Sequence, residues 1–451
     1  MTSINQTGLR LIRWSLLLTL LYGSALLAEE RPSTKKNTEK SQHKIFWQHL
    51  PEDLKSYIKV ALNFNPQIKK SHFQWQAIKS KYGNAIGLSD PIININYMIS
   101  PIETKTGPQR AQLSLSQKFP WFGVRKSKGA LIIAEAEKAH QILNADIYNL
   151  VKHIKIAYYN YAYAGKQLSI AQDNHKLLKH LEPIINKKLQ VGGKQSDLLK
   201  LQIAIDQLGQ KIETIKSKRK KIMAHLNTLV GIKTNITIDS PKLVQRQLSI
   251  KDINKEFDEW KLLVFSNNPE LKIKKQNIKI AEKNIDLAHM KRRPKFIVGL
   301  KYILTDSDGS NLSNAGEDPY GISVGLSIPL WSKKYKSTIN SSYLLKASQE
   351  HAFQSQLLKL NDQWETIKNN LLDLNSKISL YGNKITPKAK QIIDLDIVLY
   401  STGKISIQHL IDSIRSYLKY ENLLWLNVKN WEEEIAKLEA LIGGKNYETI
   451  N

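Results

Sequence analysis

Apolar residues follow two different rhythms along this chain. In four long runs they alternate in steps of three and four, the spacing of one helix face packed against another. The first run carries Ile147, Leu150, Ile154, Ala157 and Tyr161 and continues to Leu178. A return run goes from Leu198 through Leu208 and Ile215 to Leu229. A second pair spans Phe353 to Ile385 and Ile407 to Ile442. The ascending runs, 127–190 and 333–400, predict helices about 95 to 100 Å long at 1.5 Å per residue. Pro183 and Pro387 should bend or break them near the far end.

The second rhythm has a period of two. Ile93, Ile95, Tyr97 and Ile99 alternate with Asn94, Asn96 and Met98, and Leu113 and Leu115 alternate with Ser114 and Ser116 after a Gly107-Pro108 loop. Later, Phe296, Val298, Leu300, Tyr302 and Leu304 share one face. Tyr320, Ile322, Val324, Leu326 and Ile328 alternate with Gly and Ser. Two β-hairpins are predicted, near 91–119 and 295–328, the second with a long polar loop at 305–318. Such strands suit a membrane barrel or a half-buried soluble sheet. Four strands cannot close a barrel, and open edges are not tolerated in lipid, so a membrane role requires oligomerisation.

The two rhythms belong to one duplicated unit. Asn65-Pro66-Gln67-Ile68 returns as Asn268-Pro269-Glu270-Leu271, and Phe119-Pro120-Trp121 as Ile328-Pro329-Leu330-Trp331. The turn at Val191-Gly192-Gly193-Lys194 returns as Ser401-Thr402-Gly403-Lys404, and the ending Leu229-Val230-Gly231 as Leu441-Ile442-Gly443. The landmarks keep their order, so coincidence does not explain them. The domains read as repeat 1 at 65–231, a linker with a short amphipathic helix at 232–267, and repeat 2 at 268–443. A segment at 29–64 precedes them and a tail at 444–451 follows.

The N-terminus, 1–28, reads as a cleaved secretory signal. Arg10 and Arg13 precede the apolar stretch from Leu16 to Leu27, which ends in small residues at Ala25 and Ala28. That stretch is shorter than the roughly 20 residues needed to span a bilayer. Cysteine is absent, which excludes disulfides, thiolate metal sites and thiol catalysis. The formal charge of +27 suits nucleic acid or anionic lipid. Dispersed basic residues in a Lys-, Asn- and Ile-rich sequence fit plain composition better. No catalytic motif appears, so neither an enzyme nor a cofactor or metal site is expected.

Together these residues resemble the TolC-like outer-membrane factor family, from about Asn65 to Gly443. The paired Asn-Pro starts, the Phe119-Pro120-Trp121-Phe122-Gly123 stretch, Ala157-Tyr158-Tyr159 and the glycine turns carry the likeness. The resemblance implies a mainly α fold with a β-hairpin in each repeat. Long coiled-coil helices would form an α-barrel continuous with a 12-stranded outer-membrane β-barrel in a homotrimer. It implies an efflux or export channel in outer-membrane lipid, with a long periplasmic extension, and no nucleic-acid partner. The channel would receive substrate from an inner-membrane pump through a periplasmic adaptor.

Adaptor docking would fall on the tips: Gly192, Gly193, Lys194 and Ser196 in repeat 1, and Tyr400, Gly403, Lys404 and Ser406 in repeat 2. A plain helical-hairpin cap accounts for the glycines equally well. The periplasmic aperture would map to His409, Asp412 and Asp197. His409 stands where the family has a carboxylate, and three such histidines would titrate near neutrality. Tyr161 lies on the heptad seam and should pack in the core. The Phe-Pro-Trp-Phe-Gly stretch resembles heavy-metal efflux components, but drug efflux and protein secretion use the same architecture. The rival readings are a periplasmic adaptor, which needs several β-domains around one hairpin, and a soluble coiled-coil rod.

Overall fold

The structure is a computed structural model. It describes residues 50–232, 241, 243–244, 250–307, 313 and 315–444. The signal segment 1–28, most of 29–64, much of the linker before residue 250, part of the second hairpin loop and the tail after 444 lie outside the described residues.

In chain order the elements of repeat 1 are α1 (Glu52–Phe64), α2 (Pro66–Ile86), β1 (Ile92–Ile102), β2 (Gln109–Pro120), α3 (Val124–Gln190) and α4 (Gln195–Val230). The linker contributes α5 (Ile250–Asn267). Repeat 2 gives α6 (Pro269–Met290), β3 (Lys295–Thr305), β4 (Tyr320–Ser327), α7 (Ser332–Leu380), α8 (Thr386–Ser401) and α9 (Ile407–Ile442). Both rhythms therefore form the elements they predict. With 67 residues, α3 runs about 100 Å.

Each long helix is matched by two shorter ones set end to end. α4 returns from the tip along the far half of α3, and α2 covers the half nearer the sheet. The joint is where the Asn-Pro motif meets the Val-Gly ending. Asn65 caps α2, its side-chain oxygen accepting from the N–H groups of Gln67 at 2.8 Å and Ile68 at 3.3 Å. Its amide donates to the Leu229 carbonyl at 2.7 Å, serving an orphan acceptor at the end of α4. Gly231 turns away with φ of 82°, and a Cβ there would stand 3.1 Å from Asn65 Cα. Repeat 2 does the same. Asn268 accepts from Leu271 N–H at 3.0 Å and donates to the Leu441 carbonyl at 2.8 Å. A Cβ on Gly443 would meet Pro269 at 2.8 Å. The repeated motifs are the two sides of one splice.

α3 lies at the centre of the helical layer, packed against α2, α4, α6 and α9. The repeats are joined there by a hydrogen bond from the Gln276 amide to the Ala134 carbonyl at 3.0 Å and by a buried ion pair between Lys155 and Glu439. α1 and α5 brace the waist. The Tyr158 hydroxyl donates to the Asp53 carboxylate at 2.8 Å, and Phe257 meets the buried Trp364 edge-on at 6.0 Å. Tyr158, Tyr159, Tyr161 and Tyr163 are all buried. Burial, then Asp53, drives the Tyr158 hydroxyl well above its ordinary pKa; burial pushes that of Tyr163 up to about 12.

Pro183, expected to bend or break the helix, does not break it: α3 continues through it. The missing N–H leaves one carbonyl unpaired, a cost of about 3 kcal/mol. Leu181 and Ile185 on either side are buried in the tip core, each worth about 1.5–3 kcal/mol. Packing thus holds the helix through the proline. Pro387 behaves otherwise. It sits in the first turn of α8, where no N–H is needed, directly after a π-helical turn at Tyr381–Ile385.

Candidate functional site: the amphipathic sheet and the helical tips

The four strands form one antiparallel sheet in the order β1-β2-β3-β4. The two hairpins are thus joined across the repeats by the β2–β3 ladder. Residues directly opposite on neighbouring strands share a face. One row reads Ile93–Leu115–Leu300–Ile322, and the next reads Ile95–Leu113–Tyr302–Tyr320. The other face reads Asn94–Ser114–Lys301–Gly321 and Ile92–Ser116–Gly299–Ser323. The sheet therefore has one apolar and one mainly polar face.

Among the described residues nothing covers the apolar face. Ile95 is 75% exposed, Ile322 76% and Val324 74%, values no soluble sheet core would show. Aromatic side chains stand at both ends of this face. Phe119 pairs with Phe296, on which Trp121 stacks at 5.2 Å, while Tyr302 pairs with Tyr320 at the other end. An apolar band between aromatic girdles is the pattern that the outer surface of a membrane barrel carries. These girdles were readable from the strand pattern but were not singled out in the sequence. Among the described residues β1 and β4 have no partner on their outer edges. On the outer flanks of the helices, exposed Phe73 and Ile203 on α2 and α4 and Leu344, Leu358 and Leu395 on α7 and α8 are likewise uncovered.

At the opposite end the two helical hairpins meet. Gly192 and Gly403 adopt φ of 92° and 77°, which L residues rarely tolerate, and so reverse the chain. Ser406 caps α9 by accepting from His409 N–H at 3.2 Å. The Lys188 ammonium donates to the Tyr400 carbonyl and lies 4.0 Å from the Tyr400 ring centre. Behind the tips an apolar cluster links α3, α4, α8 and α9 through Leu181, Ile185, Leu201, Ile393 and Ile407.

No protein-family profile and no curated protein matches this sequence. Solved structures do. The chain superposes on CusC, a protein whose structures concern folding and transmembrane channel formation, with TM-score 0.70 at 17% identity, covering 93% of this chain and 99% of that one. The CmeC outer-membrane channel of Campylobacter jejuni gives 0.70 at 14% identity over 95% of both chains. The outer-membrane protein VceC of Vibrio cholerae gives 0.71 at 13% identity, over 87% of this chain and 96% of that one. This chain has the fold of these outer-membrane channels.

Within that fold the expected tip residues divide. Gly192, Gly193, Lys194, Ser196, Gly403, Lys404 and Ser406 are exposed at the turns. Tyr400 is 3% exposed and serves as a packing anchor; burial, then the charge of Asp197, raises its hydroxyl pKa. His409 and Asp412 lie one turn apart on α9. Asp412 accepts from the Gln408 amide at 3.0 Å and lies 3.5 Å from the Arg415 guanidinium. His409 Nε2 lies 3.5 Å from Asp396 Oδ2 on α8, and Ser413 Oγ donates to the same oxygen at 2.6 Å. No hydrogen bond or ion pair joins Asp197 to His409 or Asp412 among the described residues. The sequence reading missed Asp396, a buried carboxylate on an otherwise apolar face, which is a visible signal of a required partner.

Among the described residues no helix is long and apolar enough to cross a membrane, and no cluster of metal-ligating side chains is present.

Proposed function

We propose that this protein is the outer-membrane channel subunit of a tripartite efflux system. The observation that carries this is the sheet, with an uncovered apolar face and two unpaired edge strands in one chain. A chain left alone would expose both to lipid or water at high cost. Three copies would pair β4 of one with β1 of the next and close a 12-stranded barrel. The uncovered helix flanks follow the same two edges, so the same operation would bury them and close a helical tunnel below. The barrel would sit in the outer membrane and the helices would extend through the periplasm. The exposed tips would receive a periplasmic adaptor carrying an inner-membrane pump.

In this reading His409, Asp412 and Asp197 line the periplasmic aperture. Asp396 holds His409 and Ser413 from behind and so fixes the angle between α8 and α9. The test is fractionation of expressing cells. A heat-labile trimer in the outer membrane that conducts in planar bilayers is expected, and a soluble periplasmic monomer would refute the reading.

A further inference from the structure

Charge on the sheet is one-sided in two senses. The four strands contain Arg110, Lys118, Lys295 and Lys301 but no aspartate or glutamate. The chain as a whole holds 40 acidic residues against 67 basic ones, so composition alone would have placed acidic companions among these cations. Arg110 is accounted for, because it lies at the bulge of β2 and pairs with Asp306 in the neighbouring loop. The three lysines remain.

All three lie on the polar face. Lys301 stands mid-sheet between Ser114 and Gly321, and Lys118 is opposite Ile297. Lys295 is opposite Pro120 and Ser327 at the end nearer the helices. Each is exposed, and among the described residues none is in an ion pair. The space beside Lys301 is open: a Cβ added to Gly321 would meet nothing within 4 Å. The described acidic residues of the hairpin loops, Glu103, Asp306, Glu317 and Asp318, lie beyond the ends of the strands and not on the polar face. Asp306 is engaged by Arg110, and Asp318 accepts from the Tyr302 hydroxyl and from Thr305 N–H.

We propose that Lys118, Lys295 and Lys301 make the barrel lumen favour anionic solutes, those bearing carboxylate, phosphate or sulfate groups. This rests on the channel reading above, in which the apolar face meets lipid and the polar face therefore lines the conduit. Each lysine then recurs in every copy, forming a ring. Rings of lysine or arginine concentrate anions and repel cations in a narrow aqueous path. Lys295 and Lys301 are six residues apart, about 20 Å along the strand at 3.4 Å per residue. With a Debye length of about 10 Å in 0.1 M salt, the two levels leave little of that path outside a positive field.

The test uses the full-length trimer from outer membranes in planar bilayers, with a KCl gradient and the reversal potential as readout. Lys118→Glu/Lys301→Glu should displace the reversal potential toward that of K⁺, a several-fold change in the Cl⁻ to K⁺ permeability ratio at 0.1 M salt. The shift should shrink at 1 M salt, and Lys301→Arg should leave the ratio in place. If the double variant does not assemble, Lys301→Gln should give a smaller shift in the same direction. A reversal potential that does not move in an assembled, conducting variant overturns the proposal. Wild-type protein that carries no current at any salt concentration fails the channel reading itself, and the lumen assignment with it.

Discussion

The side-chain amide of Asn65 donates to the main-chain carbonyl of Leu229 at 2.7 Å, while its oxygen caps the helix that follows. One side chain thus closes the end of α4 and the start of α2. Replacing it with alanine removes the cap, about 1 kcal/mol. It also strands a carbonyl at the joint, about 1–3 kcal/mol more. Asn65→Ala should therefore lower stability by about 2–4 kcal/mol, and Asn268→Ala should act similarly in repeat 2. Asn65→Asp keeps the cap and loses only the amide donor, so it should fall between alanine and wild type. Denaturant titration checks the order; an aspartate no better than alanine would show that the cap contributes nothing.

Lys155 and Glu439 form an ion pair between α3 and α9 with side chains 3% and 13% exposed. Removing one partner from such a pair leaves a charge in an apolar setting and costs about 3–5 kcal/mol. Lys155→Met should be severely destabilising by that route. Lys155→Met/Glu439→Leu should recover most of the loss, because the pair's net worth against packed apolar side chains is small. A double variant as unstable as the single one would mean that shape, not charge, is what the site demands.

These two sites show where sequence legibility ends. The heptad runs predicted the long helices because each apolar position is decided by neighbours three and four residues away. The strand faces were legible for the same local reason. The Asn-Pro motif was visible as a repeat, but its partner Leu229 is 164 residues distant, and no periodicity links them. Asp396 was visible as a carboxylate on an otherwise apolar face, but its partners Ser413 and His409 lie across a turn and no periodicity points to them. Pro183 erred in the opposite direction, since a local rule was overridden by burial of Leu181 and Ile185.

Neighbouring residues of β4 test the face assignment. Val324 lies on the apolar face and Ser323 on the polar one. In the proposed barrel Val324→Arg would place a cation in the lipid band, at about 2–4 kcal/mol per copy near the bilayer midplane. Ser323→Arg extends into an aqueous lumen and should cost far less. The heat-labile trimer band on unheated gels should be lost in the first variant and retained in the second. The reverse outcome would turn the sheet inside out.

At the tips, Asp412 is held by Gln408 and Arg415 on its own helix and by no residue of another element among the described residues. In the proposed channel its carboxylate would face the aperture axis, where three copies would gather cations at the closed mouth. Asp412→Ala should raise resting conductance in bilayers by removing that ordered charge. Conductance identical to wild type would place the constriction elsewhere.

The waist offers a pH-dependent prediction. Glu421 on α9 is raised above its ordinary pKa of 4.5, chiefly by burial, with Lys166 and the Tyr417 hydroxyl acting in the opposite direction. The same burial, and then Glu421, pushes the Tyr417 hydroxyl up to about 12. A carboxyl that holds its proton more tightly folded than unfolded stabilises the protein most below about pH 4.5. That contribution is lost as the pH climbs through the raised folded value. Glu421→Gln carries no such charge at any pH. The variant's melting temperature, relative to wild type, should therefore be higher at pH 7.5 than at pH 4. Comparison at equal scan rates in detergent gives the answer. A difference that is flat with pH would show that Lys166, 3.9 Å away, already offsets the burial.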